Sequence, residues 1–526
     1  MDRVTEVRND IKPISVLNDV LGPVMRGPSS SHTAGSFHIG KLARALLGDE
    51  PASATFTFDP SGSFAEVYRQ QGSDLAFASG VMGWSITDER FPRALDVAAA
   101  QGLGIAFAVE NLGQADHPNV VRIALTSQNG RTLHALAQSV GGGAIEFTLV
   151  DGWPVRLTGV AFEVLVVSEK GVGSTICDIL VRDGQIIGQP TCQGRGDRLF
   201  LHARRSAPLD VYSEADLGAI PGVHRVWTAP PVFFVQRGEP ILSSAEEMLA
   251  VAEKHGRSLG EIALAYESRL LGLSEDEVLA EVTRRFDVMQ AAVHRGLEDD
   301  RLSMQLLRSS ARRVYQAEAE GQVAVGGIHT RAAARAMAVM HVNAAGGVVC
   351  AAPTAGSAGV ISGAVATLAE ERALSREQAA LALLAASAVG LVVGLRATFA
   401  AEVAGCQVEI GASGAMAAAA VIEATGGSAH QALDAAAIAF QNTMGSVCDP
   451  VQGIVEVPCH TRNAVAASHA FVCADLILGG YINPIPLDET IDAVYAVGRM
   501  LPRELKCTAL GGISMTRSAL AMPRLR

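Results

Sequence analysis

The chain has 526 residues, of which 49 % are hydrophobic, 18 % charged and 5 % aromatic. Its length corresponds to roughly two to four domains, and its apolar content suffices for large cores, which argues against a disordered protein. The formal net charge of −12 argues against nucleic acid as a partner, because binding phosphate requires a basic surface.

The first part of the chain, residues 1–155, is predicted to be an α/β domain. β-branched and aromatic residues alternate along 54–59 and 120–127, which indicates strands. The sequence Pro-Ser-Ser-Ser-His-Thr at 28–33 is predicted to be a loop that leads into a helix. The three glycines at 141–143 indicate a turn.

The pattern of predicted elements changes after residue 155. Residues 156–238 are predicted to run strand, helix, strand, strand, helix, strand, which is the order of a split βαβ unit. Residues 239–300 are charged and are predicted to be a helical connector. Residues 301–526 are rich in alanine and glycine, with apolar residues at helical spacing, and are predicted to be all-helical.

One run in the helical part is long enough to raise the question of a membrane. The uncharged run from Gln378 to Leu395 has about 18 residues, the lower limit for a spanning helix. Arg396 ends the run, small residues are frequent in it, and the sequence has no second run of similar length. We therefore predict a buried core helix, and a membrane transporter is the less favoured alternative.

The cysteines suggest metal binding or catalysis. Residues 1–12 do not resemble a signal peptide, and the reducing cytoplasm disfavours disulfides. Glycine or proline lies near Cys406, Cys448 and Cys459, which predicts positions at helix ends or in loops. Three thiols suit zinc or an iron–sulfur cluster, but their spacing is not that of a zinc finger. Burial as small apolar residues is an equally good interpretation of the spacing alone.

Polar groups and glycines mark further candidate positions. The hydroxyls and imidazole at 28–33 suit a carboxylate ligand at the start of a helix, although a serine-rich helix cap has the same pattern. The small residues at 343–360 allow backbone to approach a ligand, or two helices to meet at a corner. His329 and His460 are possible acid–base groups, but lone histidines are more often structural.

Several of these segments together resemble the iron–sulfur-dependent L-serine dehydratases. The resemblance covers nearly the whole chain, in the single-chain form with a β portion followed by an α portion. It rests on long motifs in the same order, which include GPSSSHTAG (27–35), SVGGGAIEF (139–147), VNAAGGVVCAAPTAGSAGV (342–360), AEVAGCQVEIG (401–411) and CDPVQGIVEVPC (448–459).

The resemblance implies a multidomain α+β fold. Residues 1–155 would be the serine dehydratase β-like α/β domain, and 156–238 an ACT-like βαββαβ regulatory domain. Residues 239–300 would be the helical connector, and 301–526 the all-α catalytic domain with the cofactor. The resemblance implies a small amino acid as substrate. The N-terminus predicts a cytoplasmic protein, and the net charge and the single apolar run predict that it binds neither nucleic acid nor membrane. A homo-oligomer, a dimer, is expected because large helical domains rich in alanine and glycine often associate.

The same resemblance implies an activity and a cofactor. L-Serine would lose water and then ammonia, through aminoacrylate, to give pyruvate. Cys406, Cys448 and Cys459 correspond to the family's ligands of a [4Fe-4S] cluster, and no pyridoxal phosphate would be needed.

Site residues carried over from the family's motifs are of two kinds. His32 is the first candidate for the base or proton shuttle, and His329 the second. The groups expected to bind the substrate are Ser29, Ser30, Ser31, Thr33, Asp74, Asn343 and Thr354.

The chain also departs from the family pattern. Gln71 replaces a histidine, and Cys507 stands where an acid is more typical. A lyase of the same fold for L-threonine, L-cysteine or another β-substituted amino acid is therefore an alternative. A non-catalytic amino-acid sensor is a further one, which the presence of all three cluster cysteines disfavours.

Overall fold

The computed structural model describes residues 13–113 and 117–525, with strands concentrated in the first half and helices in the second. The strands are β1 (Val24–Arg26), β2 (Pro51–Phe58), β3 (Gly104–Val109), β4 (Val120–Ser127), β5 (Thr132–Gly141), β6 (Ala144–Val150), β7 (Trp153–Leu157), β8 (Phe162–Glu169), β9 (Thr191–Arg195), β10 (Arg198–Arg205), β11 (Val223–Ala229) and β12 (Val348–Cys350). The mixed α/β character agrees with the prediction.

Most helices follow residue 245. The α-helices are α1 (Gly35–Leu47), α2 (Ser63–Val67), α3 (Ser73–Val81), α4 (Ala94–Ala100), α5 (Gly173–Val181), α6 (Val211–Ala219), α7 (Ala245–His255), α8 (Leu259–Leu271), α9 (Glu275–Glu298), α10 (Ala311–Ala319), α11 (Ile328–Ala344), α12 (Ala358–Glu371), α13 (Arg376–Arg396), α14 (Ala401–Ala404), α15 (Ile410–Ala424), α16 (Ala429–Thr443), α17 (Cys459–Leu478), α18 (Leu487–Met500) and α19 (Arg517–Leu520).

The first sheet has six strands in the order β3-β2-β4-β5-β6-β7. β2 pairs in parallel with β3 and antiparallel with β4, and the remaining neighbours are antiparallel. Its core contains stacked aromatic rings, including Phe56 and Phe77 with centroids 4.3 Å apart. Helix α1 packs on this sheet, so the polar turn at the start of α1 has a rigid support.

The second sheet belongs to residues 162–229. Its elements follow the order β8-α5-β9-β10-α6-β11, and its four strands lie in the order β11-β8-β10-β9 with every pair antiparallel. If the strands of this unit are numbered 1 to 4 in chain order, their spatial order in the sheet is 4-1-3-2. This order is a split βαβ arrangement. The assignment as an ACT domain stays a prediction.

The helical half is packed through small side chains. Alanines and glycines let its helices approach closely, and a Cβ atom at Gly363 on α12 would lie 2.7 Å from the backbone nitrogen of Ala336 on α11. Helix α13 is long and apolar enough to cross a membrane, but 78 % of its most apolar window is buried. This burial agrees with the prediction of a core helix.

The N-terminal segment corrects the prediction of an all-helical part after residue 301. Strand β12 pairs antiparallel with β1, so that Val24 faces Cys350. A three-residue strand is too short to show alternation, and its partner lies far away in sequence. Glu267 on α8 anchors the same segment, because its carboxylate accepts hydrogen bonds from Ser15 Oγ (2.5 Å) and from the Val16 amide (2.8 Å). Residues before α1 therefore join the two halves.

Candidate active site

His32 lies in a buried polar turn between the two halves. Ser29 caps this π-helical turn, Ser30–Ala34, and its Oγ accepts the amide of His32 at 3.2 Å. Nε2 of His32 is 2.9 Å from Ser63 Oγ, and Nδ1 is 3.7 Å from a Glu402 carboxylate oxygen. Burial lowers the pKa of His32, and the nearby Glu402 raises it by less. The imidazole is therefore neutral at neutral pH and able to accept a proton.

The other hydroxyls of the turn divide into bonded and free groups. Thr33 Oγ1 donates to the carbonyl of Gln71 at 2.8 Å. The hydroxyls of Ser30 and Ser31 are buried and make no hydrogen bond to another described residue. Free hydroxyl donors at the start of helix α1 suit an anionic ligand.

The three predicted cysteine ligands lie at an element start or in a loop, as expected. Cys406 opens a short 3₁₀ helix, Cys459 opens α17, and Cys448 lies in a loop. They are 1 %, 4 % and 6 % exposed in the order Cys406, Cys448, Cys459. Cys406 Sγ, Cys448 Sγ and a Glu409 carboxylate oxygen lie within 4.8 Å of one another. The group within 4.8 Å does not include Cys459, whose pKa is raised first by burial and then by the charge of Cys406.

The chemistry of these thiols suits a bound metal. The hydrogen bond to Cys448, and then burial, raise the pKa of Cys406 well above its ordinary value, and burial does the same for Cys459. Metal ligation requires thiolates, so the charge of a metal or an iron–sulfur cluster would have to stabilise them. A compact set of buried thiols with a neighbouring carboxylate fits such a cofactor.

Arg462 connects the thiol of Cys406 to the loop that carries Cys448. Its Nη1 lies 3.8 Å from Cys406 Sγ and donates to the Val447 carbonyl at 2.8 Å. Its Nη2 pairs with Asp449 Oδ1 at 2.9 Å. One side chain on α17 therefore holds both the loop of Cys448 and the thiol of Cys406.

A fourth thiol borders the group. Cys507 hydrogen-bonds to the Cys448 thiol, and its backbone amide donates to the Cys448 carbonyl at 2.8 Å. The chain after α18 thus contacts the loop of Cys448.

Glu409 and Thr354 meet beside the cysteines. Thr354 Oγ1 donates to the Glu409 carboxylate at 2.6 Å, and burial raises the pKa of Glu409 to about 7. A Cβ atom at Gly356 would lie 2.6 Å from the same carboxylate, so glycine is what admits Glu409 there.

Two buried amide side chains have unpartnered oxygens. Asn343 Nδ2 donates to the Pro28 carbonyl at 2.8 Å, and Asn463 Nδ2 donates to the Cys459 carbonyl at 2.9 Å. The Oδ1 atom of each is buried without a hydrogen-bond partner among the described residues. Because leaving a buried acceptor unpaired is costly, these oxygens suit a ligand's ammonium or hydroxyl group.

A cavity of about 170 Å³ opens beside His32. Ser63, which is bonded to His32, lines it together with Glu402, Arg503 and Lys506. The volume corresponds to roughly six water molecules, which suits a small amino acid. Two cationic side chains at its wall suit a carboxylate.

None of the site residues predicted from sequence lines this cavity, and His32 reaches it only through its contact with Ser63. His329 lies near Ser468, 3.3 Å from that carbonyl, which is about 13 Å along α17 from Cys459. Asp74 accepts the amide of Leu75 at 2.8 Å, and burial raises the pKa of Asp74. Ser73, not Asp74, contacts the turn, because its Oγ donates to the His32 carbonyl at 2.7 Å.

Four residues of the site were not singled out from sequence. They are Ser63, Glu402, Glu409 and Arg462, of which Glu402 and Glu409 lie in the motif at 401–411 and Arg462 lies shortly after the motif at 448–459. Position in a motif was the available signal, but it does not say which side chain points inward. Gln71 has an interdomain contact, because its Nε2 donates to the Gly453 carbonyl at 2.7 Å.

The chain is similar in sequence to known proteins. The family model described as serine dehydratase alpha chain matches residues 244–514. The probable L-serine dehydratase alpha chain of Bacillus subtilis is 37 % identical over 273 residues, which cover 52 % of this chain and 91 % of the relative. The corresponding beta chain of B. subtilis is 42 % identical over 156 residues, which cover 30 % of this chain and 69 % of the relative.

A single-chain relative matches across both halves. L-serine dehydratase of Streptomyces coelicolor is 27 % identical over 508 residues, covering 93 % of this chain and 96 % of the relative. The matched region of the family model contains the three cysteines, Glu409 and Arg462. The chain therefore belongs to the serine dehydratase alpha chain family.

Proposed function

We propose that this protein is a [4Fe-4S] enzyme that converts L-serine into pyruvate and ammonia. The observation that carries the proposal is the group of buried thiols at Cys406 and Cys448, together with a buried, neutral His32 whose partner Ser63 lines a cavity of about 170 Å³. Relatives with matching chains are named L-serine dehydratase, which supports this substrate.

Cys406, Cys448 and Cys459 would hold the cluster. When bound, a [4Fe-4S] cluster with three protein ligands supplies a Lewis acid that weakens the bond between Cβ and the hydroxyl group of serine. The buried thiols fit soft iron ligation, and Arg462 would orient Cys406 through its contact at 3.8 Å.

His32 would remove the Cα proton of serine. Nδ1 lies 3.3 Å from Ser29 Oγ and 3.7 Å from Glu402, and the carboxylate favours a proton on that nitrogen, which leaves Nε2 as the acceptor. Ser63 Oγ, 2.9 Å from Nε2, marks the direction in which the proton would arrive. Loss of the proton and of hydroxide yields aminoacrylate, which tautomerises to the imine and hydrolyses to pyruvate and ammonia.

The remaining groups would bind the substrate. The free hydroxyls of Ser30 and Ser31 would donate to its carboxylate, with Ser29 and Thr33 holding the turn in place. Asn343 would accept from its ammonium group through the unpartnered Oδ1. Thr354 would act indirectly, by holding the Glu409 carboxylate through its hydrogen bond of 2.6 Å. We assign no role to His329 or Asp74, because their contacts lie elsewhere.

The test is a substrate panel on protein purified without oxygen. We expect L-serine to yield pyruvate and ammonia in equal amounts, and L-threonine and L-cysteine to react at least about tenfold more slowly in kcat/KM. Faster turnover of either alternative would reassign the substrate and direct attention to Gln71. A full iron and sulfide content without turnover of any of the three would contradict the proposal.

We also propose that the βαββαβ unit regulates the enzyme by binding an amino acid. The order of its elements and strands supports this assignment. An amino acid that binds the unit should slow amide hydrogen exchange in β8 and α5. Unchanged exchange there, with L-serine and each other proteinogenic amino acid at millimolar concentration, would contradict regulation through the unit.

We further propose that the protein is cytoplasmic, because a reducing cytoplasm would suit the thiol ligands.

A further inference from the structure

A second and larger cavity lies away from the cysteines. Its volume is about 670 Å³, within the range typical of small-molecule sites. Four parts of the chain meet at this cavity, namely the N-terminal segment, helix α1, helix α9 and the segment that follows β11. His32, Cys406, Cys448 and Cys459 do not line it. Its walls include Phe37, His38, Lys41, Trp84, Phe233 and Arg284.

The charges around the cavity favour an anion. Arg284 and Arg285 share the carboxylate of Glu281, with Nε atoms 2.8 and 2.9 Å from it, and Arg285 also donates to the Leu17 carbonyl at 2.7 Å. Lys41 has no ion pair with any described residue. Three cations thus face one carboxylate, and an unpaired lysine at a cavity wall suits a carboxylate ligand.

The uncharged part of the wall is aromatic. Phe37, Trp84, Phe233 and Phe234 all line the cavity. Phe233 packs edge-on against His38, with ring centroids 4.6 Å apart. A ligand with an apolar side chain next to its carboxylate would therefore match both parts of the wall.

The same cavity touches both flanks of the His32 turn. Pro23 and Val24 precede the turn and lead into β1, while His38 and Lys41 lie on α1, which begins directly after it. Nδ1 of His38 lies 2.9 Å from the carbonyl of Gly143. A Cβ atom at Gly143 would lie 3.3 Å from that of Ala34, the last residue of the turn. Movement of the cavity wall would therefore reach the turn through direct contacts.

We propose that this cavity is an effector site for an apolar α-amino acid or the corresponding 2-oxo acid. Its carboxylate binds Lys41 and its side chain lies among the aromatic rings. Occupation of the site restrains the flanks of the Ser30–Ala34 turn and so couples the ligand to His32. The site is distinct from the substrate cavity, and of the βαββαβ domain at 156–238 only the segment after β11 lines it.

Binding is tested by isothermal titration of the full chain with L-leucine and with 4-methyl-2-oxopentanoate. We expect saturable binding of at least one of them, weakened at least about tenfold by Lys41→Met, because an ionic hydrogen bond is lost. Binding of both compounds indicates that the carboxylate alone is recognised, and binding of L-leucine alone indicates that Glu281 also binds the ammonium. Lys254→Met, on the exposed end of α7, is the matched control and should bind as the parent protein does.

Coupling is tested by amide hydrogen exchange, which does not depend on turnover. The bound ligand should slow exchange in peptides that cover residues 27–40 of the parent protein, and should have no effect at the same concentration on Lys41→Met. Absence of saturable binding of both compounds, or equal affinity of Lys41→Met, would overturn the site. Binding with unchanged exchange at 27–40 would overturn its role as an effector site. Neither outcome depends on whether L-serine is the substrate.

Discussion

Replacement of Cys406 by alanine is expected to remove iron, sulfide and serine turnover together from a chain that still folds. Cys406 lies within 4.8 Å of Cys448 Sγ and contacts Arg462, so its loss breaks the centre of the ligand set. We expect pyruvate formation to fall at least about 100-fold, because the Lewis acid contributes several kcal/mol to the reaction. Iron and acid-labile sulfide per chain and the rate of pyruvate formation are the measurements.

The matched control for this experiment is Cys473→Ala. Cys473 is 1 % exposed, as Cys406 is, but its Sγ contacts His469 Nε2 at 3.3 Å on α17. Both variants remove one buried thiol, so a general loss of stability would affect both. We expect Cys473→Ala to retain the cluster and most of the activity. A Cys406→Ala protein that keeps a full complement of iron and sulfide, or that turns over serine without them, would refute the ligand assignment.

Replacement of His32 by alanine should leave the cluster in place and lower kcat by about 10²–10⁴-fold, the usual contribution of a general base. The reason is that Nε2 faces Ser63, which lines the proposed substrate cavity, while burial keeps the imidazole neutral. Serine turnover, cluster content and thermal stability are measured on the same anaerobic preparation. Near-normal turnover with an intact cluster would exclude His32 as the base.

Ser63→Ala and the pH profile distinguish a base from a structural residue. Ser63→Ala removes the partner of Nε2 but keeps the imidazole, so we expect a smaller loss, of about tenfold or less. Because the neutral imidazole is the active form and burial lowers the pKa of His32, turnover should fall only as the pH drops below 6.5. This acidic limb should disappear in His32→Ala. An acidic limb that is the same in both proteins would contradict the role of His32.

Local sequence patterns predicted much of the fold because they depend on neighbouring residues. Alternating β-branched residues predicted a strand at 120–127, and β4 has those bounds. The uncharged run at 378–395 predicted a core helix, and α13 is mostly buried. Strand β12 was missed, because three residues show no periodicity and β1 supplies its partner from the N-terminal segment.

The sequence by itself determined the family, because long motifs can be read without coordinates, and the resemblance implied an iron–sulfur cofactor. It also pointed to His32 as the foremost acid–base group. Only the tertiary structure decided that Glu402 and Ser63 flank His32 and that Glu409 and Arg462 border the thiols. It also decided that His329 contacts α17 at Ser468, about 13 Å along that helix from Cys459. The physical reason is that these contacts join segments far apart in the chain. The distances between these segments depend on how the two halves of the chain pack, and a local sequence pattern does not predict that packing.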